Sequence, residues 1–400
     1  MNAQQPKRGQ HLVTAARMMP GGGGVVSRIF AGPGHRLLDA IDSRLESGSI
    51  EAWLPDGTMR ILGGRTAGFH CKVQVRHWRA LARLAISGSV GWFRAWEAGE
   101  WDSPDPVPLF ALFMANARSL GNVARARGMA RLWSGAVHWL RRNSRSGSKR
   151  NIAFHYDLGN DFYSLWLDEK LHYSSALFED IQQSLEDGQD VKTAAILDRL
   201  NLRDGSKLLE IGCGWGAVAE AALDRAHIDY VGLTLSEEQR AHCLKRLARF
   251  GEHARVEITD YRDATGEFDA IASIEMVEAV GQEYWPDYLR VIHDRLKPGG
   301  CAAIQYICID DAIFESYARN VDFIQTYIFP GGMLLSESRF RELAEAQGLE
   351  WRDVRHFGQD YARTLRIWRE RFDTAVDAGA LPPSFDRRFV ELWQIGRAHV

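Results

Sequence analysis

Metal-binding and disulfide patterns are missing from this sequence of 400 residues. Its five cysteines are scattered singly, with no Cys-x-x-Cys pair and no Cys/His spacing of the kind that zinc sites show. Isolated cysteines are typical of proteins in a reducing compartment. We therefore expect no structural zinc and a cytoplasmic location.

Long apolar runs and a secretion signal are missing as well. No run approaches the roughly 18 apolar residues that would span a bilayer. The first 26 residues are polar, end in a glycine-rich stretch and lack the apolar core of a signal peptide. This pattern predicts a disordered N-terminus over residues 1–27.

Acidic residues are missing from Pro106 to Tyr156, although the net charge of the whole chain is only −3. That stretch carries nine lysine and arginine residues, and Trp133, Trp139 and Leu140 are interleaved with the later ones. A basic segment with aromatic anchors suits an anionic membrane surface. A solvated linker helix is the alternative, and nucleic acid is disfavoured because no nucleic-acid module accompanies the charges. We expect residues 107–150 to form a basic helical connector that binds peripherally to the inner face of the membrane.

The strongest positive signal is a glycine-rich turn in the middle of the chain. An apolar run ends at Gly212, Gly214 and Gly216, and a helix-compatible stretch follows. This order predicts a buried strand, a tight turn and a helix N-terminus, where glycines let a ligand approach bare backbone. With Glu210 two residues before the first glycine, the Glu-x-Gly-x-Gly-x-Gly pattern resembles the S-adenosylmethionine (SAM) loop of class I methyltransferases.

A nicotinamide or flavin dinucleotide site is the competing interpretation of this loop. Gly212-x-Gly214-x-x-Ala217 would also match the dinucleotide fingerprint. Such a site needs a ribose-binding acid at the tip of the second strand, but that strand, about Asp229 to Leu235, ends in Thr-Leu-Ser. The missing acid favours SAM, and a plain glycine-rich turn is the third possibility.

Apolar segments of strand length alternate with amphipathic helices from about residue 151. The candidate strands cover residues 207–212, 229–235, 254–259, 268–274 and 301–308, with helices such as 237–250 and 284–296 between them. This alternation predicts an α/β fold with a doubly wound, mostly parallel sheet that binds its ligand at the carboxyl ends of the strands.

The sequence pattern of residues 28–106 predicts a smaller α+β domain. They combine a helix at 37–45 with strand-like runs at 50–54, 59–62 and 69–75, and Leu54-Pro-Asp-Gly-Thr58 is a hairpin turn signal. The combination looks like a lipid-carrier-type module. A proline-rich break at 103–106 ends this domain before the basic connector.

Eight motifs occur in one order between about residues 150 and 393. They are His155-Tyr-Asp-Leu-Gly-Asn-Asp-Phe-Tyr163, Tyr173-Ser174, Leu209-Glu-Ile-Gly-Cys-Gly-Trp-Gly216, Gly232-Leu-Thr-Leu-Ser236, Asp260-Tyr-Arg262, Lys297-Pro-Gly-Gly300, Tyr327-Ile-Phe-Pro-Gly331 and Phe357-Gly-Gln-Asp-Tyr361. Together they resemble the cyclopropane-fatty-acyl-phospholipid synthase family, which includes the mycolic-acid cyclopropane synthases. The resemblance implies a Rossmann-like, class I SAM-methyltransferase domain over residues 151–393.

The resemblance also implies an activity. Enzymes of this family transfer a methyl or methylene group from SAM to the double bond of an unsaturated phospholipid acyl chain through a carbocation, with bicarbonate as the candidate base. Class I methyltransferase sheets usually close with an antiparallel strand, and no such strand remains after residues 385–393. Residues 394–400 read like translated sequencing-adapter DNA. We therefore expect a domain truncated at its C-terminus and a non-native tail at 394–400.

The family resemblance assigns residues to the amino-acid end of SAM. Glu210 and the three glycines of the loop would meet that end, where backbone N–H groups are accessible. Tyr173 and Ser174 match the family pair that contacts the same end.

The ribose and adenine positions follow from the same resemblance. Thr234 and Gln239 take the place of the usual ribose-binding acid, and the Gln239 amide can both donate to and accept from hydroxyls. Asp260 and Tyr261 would meet the adenine amine and ring. A solvated Gln239 and a simple turn cap at Asp260 are the alternatives.

The reacting end of the site is where the sequence departs from the family. Glu278 and Tyr361 match two family bicarbonate ligands, and Glu275 is a nearby competitor that the match places closer to SAM. A family cysteine is Ser175 here, and a family histidine on the fifth strand is Gln305. Serine and glutamine still hydrogen-bond an anion, but the acid–base options shrink. The product therefore stays open among a cyclopropane ring, a methylene branch and a methyl branch.

Two other functions stay open at this point. One is a SAM-dependent N-methyltransferase of a small amine on the same fold, and the other is a non-catalytic lipid-binding protein, which Ser175 and Gln305 motivate. The expected partners are an unsaturated phospholipid and an anionic membrane surface, with no nucleic acid. The sequence leaves the oligomeric state open, a homodimer included.

Overall fold

The computed structural model describes residues 31–121, 158–319, 323–329, 331–383 and 385–396. The predicted disordered residues 1–27 and residues 122–150 of the predicted basic connector lie outside this part of the chain. The chain divides into two compact units. Of the described residues, 31–121, 315–319, 323–329, 383 and 385–396 belong to the first unit, and 158–314 and 331–382 belong to the second. The predicted domain boundaries at 106, 150 and 393 stay predictions.

The helices and strands follow one another in two series. Up to residue 121 they are α1 (Ala31–Asp42), β1 (Ser49–Trp53), β2 (Met59–Gly63), β3 (His70–Val75), α2 (Arg79–Glu97), β4 (Trp101–Asp102), α3 (Val107–Ala115) and α4 (Ala117–Leu120). From residue 158 they are α5 (Asn160–Tyr163), α6 (Leu185–Leu200), β5 (Lys207–Ile211), α7 (Ala217–Arg225), β6 (Asp229–Thr234), α8 (Glu237–Arg246), β7 (Ala254–Ile258), β8 (Phe268–Ile274), α9 (Trp285–Arg295), β9 (Leu296–Gln305), α10 (Asp311–Ala318), α11 (Glu337–Ala346), α12 (Gly358–Asp377) and α13 (Arg387–Gly396).

Short helical segments connect several of these elements. Four are 3₁₀ helices, at Ala248–His253, Tyr261–Asp263, Val277–Ala279 and Gln282–Tyr284, and one is a π-helix at Ile324–Ile328. No helix in the described ranges is both long and apolar enough to cross a membrane.

The sheet of the first unit confirms the predicted hairpin. Its strand order is β2-β1-β3-β4, with β1 antiparallel to β2 and parallel to β3. The Leu54 N–H donates to the Thr58 carbonyl at 2.8 Å across the turn, and Gly57 adopts a φ of +84° that suits glycine. The predicted helix at 37–45 lies earlier, at Ala31–Asp42.

An aromatic cluster joins distant parts of the chain inside the first unit. The Phe93 ring lies 4.9 Å from the Phe323 ring and 4.9 Å from the Tyr327 ring, and Phe110 lies 5.9 Å from Phe323. Large buried aromatic side chains contribute strongly to a core. This packing brings the π-helix, which follows the large sheet in the chain, into the same unit as β1 to β4.

The second unit confirms the predicted α/β fold. Its strand order is β7-β6-β5-β8-β9, and every adjacent pair is parallel. Strands such as β5 and β8 are almost continuously apolar because both faces of the sheet are covered. Buried side chains that include Leu208, Ala222 and Tyr230 form the core on one face.

The topology decides where a ligand can bind. The chain leaves β5 toward β6 on one side and later returns to β8 on the other side. A crevice forms outside the carboxyl ends of the strands where the order reverses in this way. The segments that follow β5, β6 and β8 therefore surround one crevice.

Strand β9 ends before the predicted limit at residue 308. It runs over Leu296–Gln305, and the chain then leaves the sheet. Beyond Gln305 the chain pairs with Leu335 instead of with a strand of the sheet. The Leu335 N–H donates to the Ile307 carbonyl at 3.1 Å, and the Leu335 carbonyl accepts from the Ile309 N–H at 2.9 Å. The residues after Gln305 are consequently held by the segment that precedes α11.

Candidate active site

The glycine turn after β5 leaves open space beside bare backbone. Gly212, Gly214 and Gly216 have φ values of +82°, +53° and +83°, a region that side chains rarely adopt. A Cβ built at Gly214 would meet no atom within 4 Å, whereas one at Gly212 would lie 2.7 Å from the Met276 Cγ. Helix α7 begins directly after this turn, so its first N–H groups point toward the crevice. The cradle fits the amino-acid end of SAM.

Glu210 lies beneath this turn and is engaged inside the sheet. The Tyr230 hydroxyl on β6 donates to the Glu210 Oε2 at 2.6 Å. Burial raises the pKa of Glu210 to about 8, so the carboxyl carries its proton at neutral pH. Its observed contact therefore ties β5 to β6.

The segment that contains Ser174 is held by helix α6. The Gln189 Nε2 donates to the Ser174 carbonyl at 2.8 Å, and the Lys192 Nζ donates to the Ser174 Oγ at 2.9 Å. Both α6 side chains are buried, and they lie three residues apart on one helix face. On the other side, the Ser175 N–H donates to the Glu275 Oε1 at 2.8 Å. The motif at 173–175 is therefore fixed from two directions.

Tyr173 is packed within an aromatic cage. Its ring lies 5.4 Å from Tyr163, 5.5 Å from Trp166 and 5.6 Å from Trp368. Edge-on and tilted contacts at these distances are the favourable arrangement for aromatic rings. The cage orients Tyr173 beside the segment that α6 holds.

Glu275 joins Ser175 and Gln305, the two positions predicted to depart from the family. It follows β8 with a φ of +46°, and its N–H donates to the Gln305 carbonyl at 2.8 Å. Its Oε1, which accepts from Ser175, also accepts from the Gln305 Nε2 at 2.8 Å. Burial of the carboxyl raises the pKa of Glu275, while these hydrogen bonds and the charge of Lys192 oppose the rise. The residue predicted to be only a competitor of Glu278 is thus the centre of this network.

The Glu278 carboxyl is buried and only half engaged. It lies in the 3₁₀ helix Val277–Ala279, and its Oε1 accepts a hydrogen bond from the Ile307 N–H. Its Oε2 is buried without a partner, and so is the Oε1 of Gln305. Burial, reinforced by the charge of Glu275, raises the pKa of Glu278 to about 8. A protonated Glu278 can donate to a small oxyanion, so these residues fit bicarbonate.

Tyr361 lies on α12, one turn before a direct contact with the 175–176 backbone. The Thr364 Oγ1 accepts from the Ala176 N–H at 3.1 Å and donates to the Asp360 carbonyl at 2.8 Å. Tyr361 itself is half-buried. Helix α12 therefore brings Tyr361 to the side of the second unit where Ser175 and Ala176 lie.

The predicted ribose pair forms a hydrogen-bonded group after β6. The Thr234 Oγ1 donates to the Gln239 Oε1 at 2.8 Å and accepts from the Ser236 N–H at 3.1 Å. The Gln239 Nε2 is buried and has no partner. Gln239 is therefore buried rather than solvated, and it offers a free donor.

Asp260 is engaged by a neighbouring arginine. Its Oδ1 accepts from the Arg262 Nε at 2.8 Å, and its Oδ2 lies 2.6 Å from the Arg262 Nη2. Asp260 also caps the 3₁₀ helix Tyr261–Asp263, which is the alternative that the sequence left open. Tyr261 is buried, with its ring edge-on to Tyr288 at 5.5 Å.

Lys192 is a functional candidate that the sequence analysis missed. Burial lowers the pKa of Lys192 to about 8, while the charges of Glu275 and Asp168 oppose the fall. Gln189 and Lys192 share the buried face of α6, a helix whose sequence shows no clear amphipathic period. Sequence rules assign such polar positions to the solvent side.

Comparisons with known proteins agree with this geometry. The family profile of mycolic acid cyclopropane synthetase matches residues 143–396. The tuberculostearic acid methyltransferase UfaA1 of Mycobacterium tuberculosis is 34% identical over 341 residues, which cover 80% of this chain and 77% of that protein. The cyclopropane-fatty-acyl-phospholipid synthase of Escherichia coli K12 is 34% identical over 259 residues, 60% of this chain and 65% of that enzyme.

A solved structure gives the same result. The crystal structure of the mycolic acid cyclopropane synthase CmaA1 complexed with SAH and CTAB superposes with a TM-score of 0.59 at 30% identity, and the match covers 62% of this chain and 91% of that one. Its class I SAM-methyltransferase fold is the fold seen here. This chain therefore belongs to the mycolic acid cyclopropane synthetase family of SAM-dependent methyltransferases.

Proposed function

We propose that this enzyme transfers a methyl or methylene group from SAM to the double bond of an unsaturated phospholipid acyl chain through a carbocation. The observation that carries this proposal is that two buried carboxyls lie beyond the carboxyl ends of β8 and β9: Glu275 accepts from Ser175 and Gln305, and Glu278 accepts from the Ile307 N–H. The names of two relatives, a cyclopropane-fatty-acyl-phospholipid synthase and a tuberculostearic acid methyltransferase, support a fatty acyl substrate.

Separate groups of residues along the crevice would hold the amino-acid end, the ribose and the adenine of SAM. The glycine turn and the Tyr173-Ser174 segment would take the amino-acid end. The free Gln239 Nε2 would donate to a ribose hydroxyl, and the buried Tyr261 ring would pack on the adenine. Bound SAM supplies the methyl group. Because Arg262 already engages both Asp260 oxygens, we propose Tyr261 rather than Asp260 as the main adenine contact.

Bicarbonate, as the candidate base, would supply an acceptor for the proton that leaves the added methyl group. Glu278, Gln305 and Tyr361 would hold it. Burial keeps Glu278 protonated at neutral pH, so its hydroxyl can donate to an anion, while the Gln305 Oε1 can accept from the anion's own proton. The surrounding low dielectric strengthens each of these hydrogen bonds.

Ser175 and Gln305 bear on which product the enzyme forms. The Gln305 Nε2 is already committed to Glu275, and the Ser175 Oγ donates to the Ala176 carbonyl at 2.8 Å. Neither side chain brings a titratable group to the anion. We propose an active enzyme whose products include a branched fraction beside the cyclopropane.

Lipid analysis tests this function. The protein is expressed in a host rich in monounsaturated phospholipids. The extracted acyl chains are then separated and analysed by mass spectrometry for the addition of one CH₂ group. We expect that addition in the host with the wild-type protein and its near absence with Glu278→Gln as the matched control. SAM binding without any lipid change would favour the small-amine N-methyltransferase, and absence of SAM binding would favour a lipid-binding protein.

Membrane association is proposed for the basic segment within residues 107–150. Each cation at an anionic surface contributes on the order of 1 kcal/mol, and salt screens that attraction. Reversing Arg141, Arg142 and Arg145 to glutamate should therefore release the protein from vesicles that contain anionic lipid, and raised salt should do the same.

A charge-matched control separates a local surface from net charge. Arg225, Arg341 and Arg352 are exposed on the second unit, and their reversal to glutamate changes the net charge equally. This control should stay bound in vesicle flotation. If the Arg141, Arg142 and Arg145 variant floats as well as the wild type at every salt concentration, the segment is a linker and the proposal fails.

A further inference from the structure

Three potential metal ligands meet outside the candidate active site. Cys308 follows β9, Glu337 lies in the first turn of α11, and His356 lies just before α12. One ligand atom from each residue, a sulfur, a carboxylate oxygen and a ring nitrogen, lies within 4.8 Å of the other two. The His356 Nε2 is 3.5 Å from the Glu337 Oε2. These residues are far apart in the sequence, so spacing rules for zinc could not identify them.

The backbone holds two of the three ligands in a fixed relation. Leu335 pairs with the chain on both sides of Cys308, through the Ile307 carbonyl at 3.1 Å and the Ile309 N–H at 2.9 Å. Glu337 follows Leu335 by two residues, after Ser336 has capped α11. Cys308 and His356 are exposed, so their side chains can rotate toward a shared ion.

The donor set selects the kind of ion. Thiolate and imidazole ligands favour zinc over magnesium and calcium, and a carboxylate completes common zinc sites. With Zn–S near 2.3 Å and Zn–N or Zn–O near 2.0–2.2 Å, the ligand atoms of a tetrahedral site are roughly 3.3–3.8 Å apart. The observed His356–Glu337 separation already meets that range. The Cys308 sulfur lies within 4.8 Å of the other two ligand atoms, so it needs a movement of at most roughly 1.5 Å to reach that range.

We propose that Cys308, Glu337 and His356 bind one Zn²⁺ ion, with the fourth coordination position left to water. The ion would tie the end of β9 to the beginning of α11 and to the segment that leads into α12. Gln305 ends β9, and Tyr361 lies in the first turns of α12. The zinc site would therefore brace two segments that carry candidate active-site residues. It does not depend on the proposed lipid substrate.

Metal titration of the tag-free full chain tests the site. The protein is stripped with a chelator, kept reduced with a non-coordinating phosphine, and dialysed against Zn²⁺ alone or Co²⁺ alone. We expect one equivalent of zinc per chain. We also expect a near-ultraviolet thiolate-to-cobalt band together with the visible bands of a tetrahedral ion.

Single variants assign the ligands. Cys308→Ser, Glu337→Gln and His356→Ala should each weaken zinc binding by at least about 10-fold, and Cys308→Ser should abolish the thiolate band. Cys301→Ser is the matched control, because Cys301 lies outside the trio on the preceding strand, β9. Circular dichroism checks that every variant is folded.

The proposal has two ways to fail. Absence of stoichiometric zinc in the folded wild-type protein would overturn it. So would a thiolate-to-cobalt band that survives Cys308→Ser, since the sulfur would then come from another cysteine.

Discussion

Replacing Glu278 with glutamine isolates the effect of one buried proton. The pKa of Glu278 rises from 4.5 to about 8 because its carboxyl is removed from water and lies near the charge of Glu275. A carboxyl with a raised pKa stabilises the fold fully below pH 4.5, and that contribution is lost as the pH rises through about 8. At about 1.4 kcal/mol for each tenfold change, the full contribution is on the order of 5 kcal/mol.

Glutamine has nearly the same shape but never ionises. Its carbonyl can still accept from the Ile307 N–H, so the local backbone keeps its partner. We therefore expect the free energy of unfolding of the wild type to fall, relative to Glu278→Gln, by several kcal/mol between about pH 4.5 and about pH 8. Urea unfolding followed by tryptophan fluorescence measures this difference. Glu283→Gln, an exposed carboxyl in the next turn, is the matched control and should show no comparable trend.

The same variant separates chemistry from cofactor binding. Turnover should fall at least about 10²-fold, the low end for the loss of an acid–base or anion-holding group, with little change in SAM affinity. A stability difference that stays flat with pH would mean that Glu278 is ionised in the folded protein, and the reasoning from its burial would be wrong. A loss of SAM affinity in place of turnover would assign Glu278 to the cofactor.

Three further substitutions probe the rest of the site. Gly214→Asp should abolish SAM binding in calorimetry, because a carboxylate would fill the open space beside the loop. Gly205→Asp, at a surface glycine that also has a positive φ and open space around its Cβ position, should leave binding unchanged. Lys192→Met should weaken SAM binding at least about 10-fold, since a hydrogen bond from a charged donor contributes about 1.5–3 kcal/mol, and unchanged affinity would remove Lys192 from the site. Ser175→Cys combined with Gln305→His should raise the cyclopropane share in chromatographic separation of the products, and an identical ratio would show that neither position steers the cation.

The large sheet could be predicted because its signals are local. Strands such as β5, β6 and β8 are short apolar runs bounded by glycine or polar turn residues, and helices such as α8 and α9 have an amphipathic period. The glycine turn after β5 was identified because a positive φ at three alternate positions needs glycine. Local rules also gave the β1–β2 hairpin, whose Pro-Asp-Gly turn sets the pairing.

The parts that could not be predicted depend on contacts between distant residues. The parallel pairing of β1 with β3, and the packing of Phe323 and Tyr327 against Phe93, leave no periodic pattern in the sequence. Lys192 could not be identified because its role depends on a hydrogen bond to Ser174 and on the charges of carboxylates that lie on other elements. Motif matching gave Glu278, but only the hydrogen bonds identify Glu275 as the centre of the network.

The position of Glu275 links the Gln305 side chain to the main chain of Ser175. A single oxygen receives the Ser175 N–H and the Gln305 amide, and the Gln305 Nε2 also lies 3.3 Å from the Ser175 carbonyl. Residues that share one acceptor show large interaction energies in double-mutant cycles. A substitution at Gln305 therefore changes the surroundings of Glu275 and of the Ser175 backbone together, and substitutions at positions 275 and 305 should be non-additive in a double-mutant cycle.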